Sequence, residues 1–364
     1  MTKKLSQNTL KSKENSSKLD VYDRKLLYYY SKNCRLPLNK LAKLVGRSKD
    51  SVKYRIERFK REGIVRGNTL VIDPILLGHE FFQVYLKFQN LTLEKEQDIV
   101  NHLSNFEANN VVMKTSGLWD MYILLDAGHA MQFGDFLQHI RNYCGDYLKD
   151  FLFLIESKEY LFTNIPKIIF KDLKIGTFVY EKEDSSFQKR LQHIGTEFEH
   201  AEPIRANDKE LQLFKEMDNN IQIELKDLAS KLNLSLFQTK SMIKSLIEKK
   251  ALNAFWPTFN LSRLGLEYYI VFMQTNNISN EIDQKLSQYF KNHPNLMRAV
   301  RTIGNYDIIL FVTVYNQAEL YGIMKDMRSK FPNLLKNYES FVVEEDLHFK
   351  AGTTFYAVEK GLVL

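Results

Sequence analysis

A run of cationic side chains between residues 47 and 61 is the first feature of this sequence that indicates chemistry. The run holds seven Lys or Arg residues and two acids, for a local charge of +5. Val52, Ile56 and Phe59 interrupt it at the spacing of a helix with one buried face. A helix held to its domain by that stripe presents Lys and Arg on its other faces, where such groups bind phosphates. We therefore predict a helix that binds a polyanion.

The rest of the chain offers little that is typical of a catalytic or metal site. Cys34 and Cys144 stand far apart in sequence, and the eight histidines show no zinc-ligand spacing. There is no Gly-rich phosphate loop, no nucleophile elbow and no pair of carboxylates placed for acid–base catalysis. The sequence therefore predicts no catalytic residue, no metal and no cofactor.

The apolar segments are too short for a membrane span. The longest, near DIILFVTVY, has the length of a strand. The first 18 residues are polar and lysine-bearing and lack an apolar signal core. We expect a disordered basic tail there, no membrane partner, and a cytoplasmic, nucleoid-associated location.

The positive charge of the chain is concentrated in one segment. The whole chain has a net charge of +7, whereas residues 19–67 hold 14 Lys or Arg and five acids, which gives +9. Residues 204–253 hold nine and seven, which gives +2. So uneven a distribution favours a localised surface for a polyanion.

The sequence also matches itself when it is shifted by 187 residues. Asp20 then aligns with Asn207, Ser48 with Ser235, and Leu77-Gly78 with Leu264-Gly265. The register continues without a gap to about residue 159 of the first segment. We therefore predict two tandem copies of one module.

The first part of each copy is predicted to be helical. Asp20 with Asp23, and Asn207 with Glu210, are capping-type helix starts. In the first copy Gly46 ends the second helix, and Ser48 can cap the basic third helix. A short strand over 64–72 completes a winged helix-turn-helix.

The second part of each copy predicts a sheet covered by helices. In the first copy the predicted order is strand (81–88), helix (94–104), strands (111–116 and 120–125), helix (129–143) and strand (151–156), and the second copy repeats it. The fold class is therefore α+β, a tandem repeat of a winged helix-turn-helix domain and a ferredoxin-like βαββαβ domain. We place the boundaries at 1–18 (tail), 19–73 (helix-turn-helix), 78–163 (βαββαβ), 164–203 (linker, with a possible hairpin or edge strand), 204–260 (degenerate helix-turn-helix), 265–350 (βαββαβ) and 351–364 (tail).

The sequence resembles the leucine-responsive regulatory protein / AsnC (Lrp/AsnC) family of transcription regulators. The motifs that carry the resemblance are LDVYDRKLL, LNKLAKLVGRSKDSVKYRIERFKREGIVRG, IDPILLG and SGLWD, in this order and spacing. The resemblance implies a regulator that binds double-stranded DNA and self-associates through its βαββαβ domains. It also implies a small-molecule effector such as an amino acid, held near the turns of Gly117 and Asp120 and of Gly304 and Asp307. The alternative is that a hairpin turn simply needs glycine.

The basic helix supplies the candidate DNA contacts. We expect its N-terminal side chains to reach base edges in the major groove and the flanking cations to meet phosphates. The predicted contacts are Asp50, Lys53 and Tyr54 with bases, and Arg47, Ser48, Lys49, Arg55, Arg58, Arg35 and Lys40 mainly with the backbone. The equivalent helix of the second copy has lost most of this charge, so we expect the first copy to read DNA.

Several alternatives stay open on the sequence. The charged face can be merely solvated, the second helix can retain weak DNA binding, and the βαββαβ domains can pair within one chain or between chains. A sequence-indifferent chromatin protein is the main functional alternative. Sirohaem decarboxylases share the implied fold but need histidine and arginine near a tetrapyrrole, and the predicted strands here contain no histidine apart from His348. We therefore expect that the chain is not an enzyme.

Overall fold

The computed structural model describes residues 19–72, 78–106, 109–173, 206–249 and 251–349. The predicted N-terminal and C-terminal tails lie outside these residues, as does the predicted linker from residue 174 onward. Among the described residues, every helix is too short or too polar to traverse a lipid bilayer.

The described chain consists of two halves, residues 19–173 and 206–349, with the same order of elements. The first half contains α1 (Val21–Lys32), α2 (Leu38–Val45), α3 (Lys49–Arg61), β1 (Val65–Ile72), β2 (Glu80–Phe88), α4 (Leu93–Asn105), β3 (Asn109–Ser116), β4 (Met121–Ala127), α5 (Ala130–Cys144) and β5 (Leu148–Phe162). The second contains α6 (Asp208–Asn219), α7 (Leu225–Leu232), α8 (Leu236–Glu248), β6 (Leu252–Phe259), β7 (Glu267–Thr275), α9 (Asn280–Asn292), β8 (Leu296–Ile303), β9 (Ile308–Val314), α10 (Gln317–Lys330) and β10 (Leu335–Phe349). That the halves arose as copies of one another stays a prediction.

The predicted helix caps are confirmed. The Asp20 side chain accepts from the Asp23 amide at 2.7 Å, and the Asp23 carboxylate accepts from the Asp20 amide at 3.0 Å. Asn207 and Glu210 form the same reciprocal pair at the start of α6. Gly46 ends α2 with a φ of +74°, a left-handed conformation that glycine adopts at little cost.

The two helix-turn-helix units pack against each other. Strands β1 and β6 pair antiparallel, and the apolar side chains of both units form one continuous core. Arg35 donates from Nη2 to the main-chain oxygen of Ile223 at 2.9 Å, and Gln222 donates from Nε2 to that of Cys34 at 3.1 Å. Since Arg35 and Gln222 are 187 residues apart, equivalent positions bind across the interface in both directions.

The two sheets join into one closed barrel. The order of the eight described strands is β10-β3-β4-β2-β5-β8-β9-β7, and β7 pairs with β10. The closing strands β5 and β10 are each 15 residues long. Each pairs along one part with its own half and along the other with the opposite half. The βαββαβ units therefore pair within one chain, and closure leaves no free sheet edge between them.

Side chains fill both faces of the barrel wall. The outward face of each sheet packs on its two helices, as Val84 and Val271 do. The inward face carries Tyr85, Tyr122 and Phe272, all 1% exposed or less. This alternation follows from the period of two along a strand.

The predicted linker begins too early. Residues 167–170 form a 3-10 helix, and Ile165 and Ile169 are buried in the helix-turn-helix core. Two apolar side chains in this short stretch bury themselves on the adjacent core, so residues 164–173 belong to the first half. From residue 174 onward, the predicted hairpin or edge strand lies outside the described residues.

Candidate DNA-binding surface

Helix α3 is anchored as its apolar spacing predicts. Val52, Ile56 and Phe59 are 0%, 9% and 1% exposed and belong to the helix-turn-helix core. Ser48 caps the helix by accepting from the Ser51 amide at 3.3 Å. The remaining faces of α3 are therefore held in a fixed orientation toward solvent.

Five cationic side chains lie exposed on α3 and its preceding turn. They are Arg47, Lys49, Lys53, Lys60 and Arg61. Asp50 is also exposed, and the large aromatic side chain of Tyr54 is 58% exposed to solvent. Arg47 lies with its guanidinium carbon 3.4 Å from the centre of the Tyr22 ring, which restrains this arginine at the start of the helix. The expected cationic surface is therefore present, although DNA contact by each residue stays a prediction.

Arg55 and Arg58 have a different environment from the one predicted. Arg55 Nη1 lies 2.9 Å from Asp20 Oδ2 and also bonds Asp23 Oδ1, while Arg58 Nη2 lies 2.7 Å from Asp23 Oδ2. Burial raises the pKa of Asp20, but hydrogen bonds from the Asp23 amide and from Arg55 outweigh it and hold that pKa below its ordinary value. The half-buried arginines therefore neutralise the acids that cap α1, and DNA-backbone contact by Arg55 and Arg58 stays a prediction.

The Arg35 side chain makes its contacts at the interface between the two helix-turn-helix units. Besides donating to the Ile223 carbonyl, its guanidinium lies 5.1 Å from the centre of the Phe255 ring, in the other half. Burial lowers the pKa of Arg35 below its ordinary value. These contacts join the two helix-turn-helix units, so Arg35 is not placed as a freely solvated phosphate ligand. Lys40 is half-buried on α2.

The equivalent surface of the second half is chemically different. Leu236 and Phe237, at the start of α8, are 49% and 80% exposed. Of the five exposed cations on the first surface, Lys53 alone aligns with a cation, Lys240, at the 187-residue offset. The acid that caps α6, Glu210, is paired with Lys249 at 3.5 Å, since this half lacks the arginines of α3.

The first candidate effector residues, Gly117 and Asp120, make close structural contacts at their turn. A Cβ on Gly117, at a φ of +118°, would lie 3.1 Å from Cβ of Phe341 in the other half. Asp120 accepts from Lys87 Nζ at 2.7 Å and from the Phe88 amide at 2.8 Å. These contacts support a structural role for both residues.

The second turn repeats this arrangement. A Cβ on Gly304, at a φ of +141°, would lie 2.6 Å from Cδ2 of Leu154 in the first half. Asp307 accepts from the Thr275 amide at 2.6 Å, which is the bond between Asp120 and Phe88 shifted by 187 residues. Effector binding at either turn stays a prediction.

Two buried polar groups escaped the sequence-based predictions. His79 Nδ1 lies 2.7 Å from Asp126 Oδ2, and both residues are buried. Arg298 on β8 forms ion pairs with two glutamates of β5, at a seam between the halves. The repeat contained a signal for the second group, because the offset aligns Arg298 with Val111. The same signal marks the first group, because the offset aligns His79 with Leu266 and Asp126 with Thr313.

Comparison with known proteins supports a DNA-binding domain in the part of the chain that contains α3. The winged helix-turn-helix DNA-binding family matches residues 19–66. The HTH-type transcriptional regulator FL11 of Pyrococcus abyssi is 24% identical over 122 residues, which is 34% of this chain and 80% of that protein. The regulatory protein AsnC of Haemophilus influenzae is 25% identical over 108 residues, 29% of this chain and 69% of that protein.

Nearly the whole chain is also similar in fold to a solved structure. The crystal structure of the siroheme decarboxylase NirDL covers 94% of this chain and 97% of its own, with a TM-score of 0.53 and 15% identity. At this identity the likeness concerns the fold alone. The chain thus contains a winged helix-turn-helix DNA-binding domain, with low-identity homologues named as Lrp/AsnC transcription regulators over about a third of its length.

Proposed function

We propose that this protein regulates transcription by binding double-stranded DNA mainly through α3. The observation that carries the proposal is the difference between the two equivalent helices. One, together with its preceding turn, presents five exposed cations on an anchored scaffold, and the other presents Leu236 and Phe237 at its start. Cations near phosphates release condensed counterions, whereas exposed apolar side chains gain nothing there.

We propose different tasks for the side chains along α3. Asp50, Lys53 and Tyr54 lie near its N-terminal end, the part of a recognition helix that contacts base edges. Lys60 and Arg61 lie at its C-terminal end, where a phosphate contact fits better than base readout. Arg55 and Arg58 act indirectly, by fixing α3 to α1 through their ion pairs.

Two double variants of the full chain test the asymmetry at equal net charge. Lys49→Ala with Lys53→Ala removes two cations from α3, and Lys240→Ala with Lys244→Ala removes two from α8. Removing one cation that neutralises a phosphate lowers the slope of log affinity against log salt by about 0.9. We expect a slope lower by up to about 1.8 for the first variant and little change for the second, in fluorescence anisotropy titrations with duplex DNA.

Equal slope changes in both variants would refute the asymmetry and indicate binding by both helices or by overall charge. An unchanged slope in both variants would show that α3 is not the DNA-binding surface. Full-chain variants are needed, because separate halves would each lack part of the shared barrel and of the shared helix-turn-helix core.

A regulator must also prefer one sequence. We propose that it does, and competition between a duplex selected from a random pool and bulk genomic DNA tests this. Equal competition by bulk DNA would instead support a sequence-indifferent chromatin protein.

We further propose that two chains occupy a two-fold operator. Each chain offers one reading helix, so the two half-sites need two chains, with centres about 34 Å apart or a multiple of that distance. Light scattering on a selected palindromic duplex should give two chains per duplex. One chain per palindrome would contradict this stoichiometry.

The family resemblance extends the proposal to a small-molecule effector such as an amino acid. A thermal melting screen of free amino acids, with Asp120→Asn and Asp307→Asn as variants, tests binding at the glycine turns.

We also propose that the chain is not an enzyme, although it shares its fold with a siroheme decarboxylase. Conversion of added sirohaem, followed by its visible absorption bands, would overturn this.

A further inference from the structure

A cavity of about 330 Å³ lies where three parts of the molecule meet. Its walls come from strand β1 of the first helix-turn-helix, from α6 and β6 of the second, and from the end of β10 in the barrel. Among the lining residues are Arg66, Asp218, Thr258 and Asp346. A volume of this size is within the range of small-molecule sites in proteins.

Among the described residues, none donates a hydrogen bond to the Asp346 carboxylate on this wall. Its Oδ1 is buried, and its Oδ2 lies 3.8 Å from Nη1 of Arg66. That distance is an ion pair but is too long for a hydrogen bond. Arg66 Nη1 donates instead to the main-chain oxygen of Asp346. Within the described parts of the chain, Oδ1 thus lacks the partner that a buried polar atom usually has, whereas the side chain as a whole is 26% exposed and lines the cavity.

The charge around the cavity favours a cation. The described lining residues include one cation, Arg66, and two acids, Asp218 and Asp346, whose formal charges sum to −1. Asp218 has a further interaction, so Asp346 is the acid available to a ligand. Burial raises the pKa of Asp346 to about 6, with Arg66 acting in the opposite direction and Glu345 in the same one. The carboxylate is therefore ionised at pH 7.5, while the arginine beside it compensates its charge incompletely.

We propose that this cavity binds a small organic ammonium ion, whose N–H groups donate to the Asp346 carboxylate. An ammonium group offers up to three donors on a compact cation, which supplies what the carboxylate lacks. The carbon skeleton of such a ligand fits against Leu347 and Phe349, which also line the cavity. An anion is disfavoured by the net charge, and a neutral alcohol leaves the carboxylate charge uncompensated.

Such a ligand would act between two functional parts of the protein. Arg66 belongs to the strand that follows α3, and Asp346 belongs to the barrel. A cation bound between them adds an interaction across this junction. The site itself does not depend on the proposed DNA-binding function, so the two can fail separately.

Ligand-observed NMR titration of the full chain with n-butylammonium chloride at pH 7.5 tests the proposal. Butan-1-ol is the neutral probe of similar shape. We expect saturable broadening of the butylammonium signals and none of those of butanol. Asp346→Asn should weaken the ammonium affinity by about tenfold or more, since a hydrogen bond to a charged group contributes that much.

Two further variants make the result decisive. Glu345→Gln removes the neighbouring exposed carboxylate and should leave binding unchanged. Thr258→Phe fills the cavity without altering a charge and should abolish binding, which keeps the test valid even if Asp346→Asn does not fold. Equal affinity for butanol, equal weakening in Glu345→Gln, or unchanged binding in Thr258→Phe would each overturn the proposal.

Discussion

Replacing Arg298 with valine would remove the cation from a buried ion network at the seam between β5 and β8. Arg298 donates from Nε to Glu159 Oε1 at 2.6 Å and from Nη2 to Glu156 Oε2 at 2.5 Å. The three side chains are 9%, 9% and 7% exposed, and Gln83 donates to the remaining Glu156 oxygen at 2.6 Å. Burial lowers the pKa of Arg298, but the two glutamates outweigh it and keep that pKa above its ordinary value.

The expected decrease in stability is large. Arg298→Val leaves two carboxylates at a buried seam without their cation, and breaking a buried ion pair in this way costs about 3–5 kcal/mol. A domain of ordinary stability has about 5–15 kcal/mol in total. We therefore expect a clear decrease in the urea midpoint of unfolding, followed by tryptophan fluorescence and circular dichroism.

The opposite seam of the barrel supplies the compensating design. There the 187-residue offset places Val111 and Val343 where Arg298 and Glu156 stand, and Asp346 where Glu159 stands, so leucine at position 159 is chosen only because it is apolar. The triple variant Glu156→Val, Glu159→Leu and Arg298→Val should regain part of the free energy of unfolding, because apolar side chains can replace a buried ion network at little net cost, whereas the buried Gln83 amide loses its acceptor.

Arg301→Val on the same strand is the matched control. The Arg301 side chain is 39% exposed and lies 3.5 Å from Asp283, so its removal should cost less than about 1 kcal/mol. The reasoning is refuted if Arg298→Val costs no more than Arg301→Val. It is also refuted if the triple variant is as unstable as the single one.

Three further variants probe backbone and pH effects. Gly304→Ala should destabilise the fold by about 1–3 kcal/mol, because its Cβ would lie 2.6 Å from Leu154 Cδ2 at a φ of +141°. Gly134→Ala, in helix α5 with open space around it, should stabilise by about 0.5–1 kcal/mol, and a urea assay giving both the same sign would contradict this. Burial lowers the pKa of His293 from 6.5 to about 4, so between these pH values the unfolded chain binds the proton more readily than the folded one. The free energy of unfolding is therefore unaffected by this group above pH 6.5 and decreases by about 3 kcal/mol as the pH falls toward 4. His293→Gln should flatten the pH dependence of the unfolding free energy over that range, and an unchanged profile would exclude His293 as its source.

Much of the secondary structure followed from local sequence. The caps at Asp20 and Asn207, the left-handed end at Gly46 and the buried stripe of α3 depend on residues within four positions of one another. Interactions at that range recur wherever the pattern recurs. The equal spacing of the repeat likewise predicted the equal order of elements in both halves.

The tertiary structure alone decided which charges are available and how the sheets close. Arg55 and Arg58 share the sequence character of their exposed neighbours, but they turn toward acids more than 30 positions away. The barrel closes because β5 and β10 are long enough to pair with both halves. In the opposite half β5 pairs with β8 and β10 pairs with β3, and both partner strands are far away in the sequence. Ion pairing and strand pairing depend on distances in space, which a local pattern of residue types does not contain.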